Sequence, residues 1–113
     1  MELRDLNDDE TLIFVGLLRE MVQADGEYSD QEKDFVAEQS KALGADRFRQ
    51  AMEEAKERYG DLASLKEAAK GVERQEARQL IFDRLIKSAV VDGVDEAEEK
   101  PLRWLAEHWK IYG

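Results

Sequence analysis

Two stretches of this chain place carboxylates where hard cations are commonly held. One reads Ala24-Asp25-Gly26-Glu27-Tyr28-Ser29-Asp30-Gln31-Glu32, the other Val91-Asp92-Gly93-Val94-Asp95-Glu96-Ala97-Glu98-Glu99. In each, an Asp-Gly pair ends an apolar run and a carboxylate follows, Glu32 after Asp25 and Glu99 after Asp92. Matched through the next helix cap instead, Glu98 is the partner of Glu32. Ligands that are all oxygen favour calcium, magnesium or manganese over zinc. A shared site would join Asp25, Glu32, Asp92 and Glu98 or Glu99 between helices, as carboxylates converge in bundle metal sites. A calcium EF-hand is excluded. Its first and third ligand positions fall on Met21 and Gln23 in one copy and on Ser88 and Val90 in the other. A thioether and an aliphatic side chain are not hard ligands.

The plainer reading makes each word a helix–helix corner. Gly26 and Gly93 suit the left-handed residue that ends a helix, and Ser29 and Asp95 suit the cap of the next. Two features pull against solvated acids. At 100° per residue Asp25 follows Leu18 and Met21 onto the apolar face, and Asp92 follows Leu85 and Ala89. Carboxylates at helix C-termini also oppose the macrodipole, at about 0.3–1 kcal/mol each.

Other chemistry is sparse. His108 is the single histidine and cysteine is absent, so thiol catalysis, disulfides and thiolate metal sites are excluded. Ser29, Ser40, Ser64 and Ser88 have no base at a suggestive spacing, and no nucleophile elbow or phosphate loop occurs. An enzyme is not expected. The last helix carries two apolar stripes, one of Leu102, Leu105, Ala106 and Trp109, the other of Trp104, His108 and Ile111. Two neighbouring helices would account for both. As a functional surface, Trp104, His108 and Ile111 would anchor a protein partner.

These residues must be positioned by helices, because the dominant period is helical. Phe14, Leu17, Leu18, Met21 and Val22 mark the first buried face, with Asp8, Asp9 and Glu10 at its positive end. Ser29 and Glu32 form a capping-box pattern for a second helix that buries Phe35, Val36 and Leu43 and stops near Gly44. A third, over about 45–59, turns Phe48, Met52 and Ala55 inward. Asp61 caps a short fourth with Leu62, Leu65 and Ala69, broken by Gly71. The fifth, about 73–91, buries Leu80, Ile81, Phe82, Leu85 and Ala89, and the last starts near Asp95 or Glu96. Strand alternation is missing. The expected fold is an all-α compact bundle of about six helices, with two pseudo-repeated helix–Asp-Gly-turn–helix units, as a single domain over 1–113.

With 27 acidic against 17 basic residues, the net charge of −10 argues against nucleic acid, whose affinity rests on neutralising phosphates. It favours cations or a basic partner. Lys41, Arg47, Arg49, Lys56, Arg58, Arg74 and Arg78 are expected to form a basic region on an otherwise acidic surface, a possible dock for a charged partner. No apolar run reaches the roughly 20 residues of a membrane span, and the N-terminus lacks a signal-peptide pattern. A cytoplasmic location is expected.

The helix, Ala-Asp-Gly-Glu turn and Ser-x-x-Glu helix over 17–43 resemble the TerB-like tellurite-resistance family. That family also includes the N-terminal domain of a membrane-anchored DnaJ-like co-chaperone. The first word, Asp25 to Glu32, is close to the family's signature. The second departs from it, with Val91 in place of alanine and Val94 in place of glutamate. The resemblance implies an all-helical domain without enzymatic activity. It implies a scaffold or interaction role in a stress-response or membrane-associated assembly, with a divalent-cation sensor built on the two acidic turns as the alternative.

Overall fold

A computed structural model describes residues 2–23, 30–59, 61–91 and 96–109, without the side chains at 21–23, 30–32, 62, 88–91 and 96–102. Among the described residues the chain is helical throughout. A 3-10 turn, Leu3–Asp5, precedes α1 (Asp8–Gln23), α2 (Asp30–Leu43), α3 (Ala45–Arg58), α4 (Leu62–Ala69), α5 (Gln75–Val91) and α6 (Glu96–Trp109). The all-α architecture is the one expected, and strands are absent from the described residues.

Helix α1 is the axis of the bundle. It packs against α3, α4, α5 and α6, and every residue from Glu10 to Leu18 is buried. The sequence pattern points to one buried face, but the run Leu12-Ile13-Phe14-Val15-Gly16-Leu17-Leu18 is apolar all round. A helix of that kind belongs inside. Gly16 lets α4 approach closely, since a Cβ built there would lie 2.5 Å from Leu65 Cδ2 and 3.6 Å from Ala55 Cβ.

The corners follow from local chemistry. Gly44 has φ of 106°, a conformation that disfavours a side chain. Its N–H closes α2 on the Ser40 carbonyl (2.8 Å), and its own carbonyl receives the Phe48 N–H of α3 (2.8 Å). One residue thus serves both helices. Asp61 caps α4 by accepting the Ser64 N–H at 2.8 Å, and this bond lowers its carboxyl pKa. Helix α5 starts at Gln75 rather than at Glu73, because Arg74 is its cap residue: the Arg74 carbonyl accepts the Arg78 N–H at 3.0 Å.

The two helix–turn–helix units pack reciprocally. Helix α1 of the first touches α5 and α6 of the second, while α5 touches both α1 and α2. At the far end, Trp109 is 1% exposed and donates its indole N–H to the Ala69 carbonyl at 3.1 Å. This bond ties the end of α6 to the end of α4. Among the described side chains of α6, Leu105 and Trp109 are buried, Trp104 is half-buried and His108 is exposed.

Candidate functional site

The exposed side of α6 carries the clearest arrangement for recognition. Trp104 and His108 are one helical turn apart, so their side chains lie on the same side. Their rings stack at 5.0 Å between centroids and 7° between planes. From α4, the Lys66 ammonium lies 5.4 Å from the Trp104 ring centroid, within the range of a cation–π contact. An indole with one edge in the core, a stacked imidazole and a cation from the next helix make a pre-ordered amphipathic surface. Such rings present large contact area at a small loss of freedom on binding. The i, i+4 spacing announces the stack, whereas Lys66 comes from a separate helix.

A second polar centre lies at the start of α1. Asn7 accepts the Glu10 N–H (2.8 Å) and donates its own N–H to Glu10 Oε1 (2.9 Å). This is a reciprocal helix cap, with Glu10 as the third helical residue. Glu10 is 3% exposed, and a buried carboxylate needs a partner. Arg74 supplies it as a fork, Nε to Oε2 at 2.9 Å and Nη2 to Oε1 at 2.5 Å. The Arg74 bonds, helped by the Asn7 N–H and opposed by burial, hold the Glu10 carboxyl below the usual glutamate range. The cleft beside it, about 380 Å³, is lined by Asn7, Asp9, Tyr59, Glu73 and Arg74 among others. A carboxylate kept ionised by a bidentate arginine is a poor proton acceptor, so this centre reads as structural. The Asn7-x-x-Glu10 signature just before an apolar run is legible in the sequence. Arg74, distant in the chain, is not.

The expected basic surface is largely absorbed. Arg47 bonds the carbonyls of Arg4 and Leu6 and the Thr11 hydroxyl. Arg74 holds Glu10, and Arg78 donates to the Val72 carbonyl at 2.6 Å. Arg58 pairs with Glu54 at 2.8 Å. The guanidiniums of Arg47, Arg74 and Arg78 are fasteners of the fold, whereas the Arg58–Glu54 pair lies exposed along α3.

For the acidic words, Asp25 and Asp92 lie outside the described residues, as does Ile111 of the aromatic stripe. Glu32 is the third residue of α2, and Glu98 and Glu99 are the third and fourth of α6. Among the residues whose side chains are described, no three carboxylate, histidine or cysteine groups gather as a cation cage. No described helix is long and apolar enough to cross a membrane.

No curated protein and no solved structure matches the chain. One family does: its description is tellurite resistance protein TerB, and the match covers residues 11–111.

Proposed function

The chain belongs to the TerB family, and on that premise we propose that it is a non-enzymatic interaction domain of a cytoplasmic stress-response system, with the exposed side of α6 as its contact face. The observation that carries this reading is the Trp104–His108 stack with Lys66 against it. Aromatic side chains that are half-buried, rigid and flanked by charge are the usual anchors of protein interfaces. The partner is a protein, and its setting includes membrane-associated assemblies.

The test places a photo-crosslinking residue at position 104 or 108 in cells, with position 79 on the outer side of α5 as control. A specific protein captured at 104 and 108 but not at 79 is then purified. Its binding is measured by calorimetry with wild type and Trp104→Ala. The expected loss is about 30-fold, the ~2 kcal/mol of an aromatic anchor. Equal binding by wild type and Trp104→Ala would sink the assignment of this face.

A second reading keeps the family premise and makes the domain a divalent-cation sensor. Its support is the placement of Asp25 and Asp92 at helix ends and on apolar faces in the sequence. Calorimetric titration with calcium, magnesium and manganese is expected to show heat in wild type that Asp25→Asn/Asp92→Asn abolishes. Absence of heat in wild type rejects the sensor.

A further inference from the structure

The chain ahead of α1 has one 3-10 turn, Leu3–Asp5, and is held down by side chains from elsewhere. Within residues 2–6, Leu3 and Leu6 are buried while Glu2, Arg4 and Asp5 are exposed. Three successive carbonyls accept from guanidiniums. Arg47 Nη1 serves Arg4 O at 3.1 Å, Arg74 Nη2 serves Asp5 O at 3.2 Å, and Arg47 Nη2 serves Leu6 O at 2.5 Å. Both arginines are set in place from α1, Arg74 by the Glu10 carboxylate and Arg47 by the Thr11 hydroxyl at 2.9 Å. Glu10 also accepts the N–H of Asn7, the joint between this segment and the helix.

We infer that residues 2–6 form a strap that opens as a unit while the six helices stay folded, and that Glu10 is the positioning residue that keeps it shut. Ordering the segment is opposed by backbone entropy, and Leu3 and Leu6 are its only buried apolar side chains. The carbonyl clamps therefore tip the balance. Loss of the Glu10 charge frees the Arg74 fork, weakens the clamp on Asp5 and leaves Asn7 a weaker, uncharged acceptor. The first helical bond of α1, Thr11 N–H to the Asn7 carbonyl at 2.9 Å, is untouched by this opening. Units with few buried contacts open locally, below the free energy of global unfolding. Opening uncovers the apolar seat of Leu3 and Leu6 beside α2, the helix against which the 3-10 turn packs.

Hydrogen exchange at neutral pH tests this on wild type, Glu10→Gln and Arg47→Met. The reporters are the amides of Asp5, Leu6 and Asn7, which donate to Glu2 O, Leu3 O and Glu10 Oε1. Their exchange is expected to rise about tenfold or more in either variant, with Leu17, Leu18, Ile81 and Leu85 changed by less than about twofold. Arg47→Met keeps the Glu10–Arg74 pair and still removes two clamps, so it decides the matter if Glu10→Gln does not fold. The inference is overturned if strap and helix amides of wild type exchange together, or if the reporters are unmoved in the folded variants.

Discussion

Trp109→Ala is expected to lower the melting temperature by roughly 12–20 °C. The substitution removes a side chain that is 1% exposed, and loss of a buried tryptophan costs about 3–5 kcal/mol. At this chain length each kcal/mol corresponds to roughly 4 °C. The loss is large because Trp109 does two things at once. It fills the space between α4 and α6, and its indole N–H satisfies the Ala69 carbonyl at the end of α4. Trp109→Phe separates them, keeping most of the apolar contact and losing the bond, worth about 1 kcal/mol. Thermal unfolding followed by circular dichroism measures both. A melting temperature for Trp109→Ala within a few degrees of wild type would show that α6 is not fastened here.

The second large effect is at Gly16. In an exposed helix, replacing glycine by alanine stabilises by about 1 kcal/mol. Here the added Cβ meets Leu65 Cδ2 at 2.5 Å, well inside the roughly 3.5–4.0 Å at which carbon atoms rest. Leu65 is itself 1% exposed, so it has no open space to move into. Gly16→Val is expected to destabilise by about 1–3 kcal/mol, the usual penalty of overpacking, read as a lower urea midpoint. The cause can be checked by coupling. Leu65→Ala should be less damaging in a Gly16→Ala background than alone, by more than the ~0.5 kcal/mol scatter of independent sites. If Gly16→Ala proves more stable than wild type, α1 and α4 are not in the close contact described.

Both predictions rest on contacts between helices, and the sequence reveals these unevenly. Helix number and order follow from the apolar period, with Gly44, Asp61 and Gly71 marking ends that the structure keeps. The depth of α1 is underestimated by a one-face reading, although Leu12, Ile13, Val15 and Gly16 already surround the helix with apolar groups. The start of α5 is displaced by two residues to Gln75, with Arg74 as its cap, and the Arg74–Glu10 pair is set by folding and not by spacing. For the same reason arginines that look like a docking surface are found bonded to carbonyls and carboxylates.

At the candidate face, Trp104 and His108 are legible together from their i, i+4 spacing and meet as stacked rings. Lys66 is not, because a cation–π contact between α4 and α6 depends on how the Trp109 tie sets the two helices. The repeated Asp-Gly words are the plainest feature of the sequence. Their aspartates fall outside the described residues, and the structure places Glu32 in α2 and both Glu98 and Glu99 in α6.

The burial of α1 on all sides has a consequence for synthesis. This helix leaves the ribosome before α3, α4, α5 and α6, the helices that pack against it. Its cover is complete only when Leu105 and Trp109 emerge. At roughly 5–20 residues per second, the most apolar segment of the chain waits several seconds or more for its partners. During that interval it is a sticky, helix-forming peptide in a crowded compartment. Until α6 arrives, the nascent chain therefore carries its most apolar helix without the cover that the finished fold gives it.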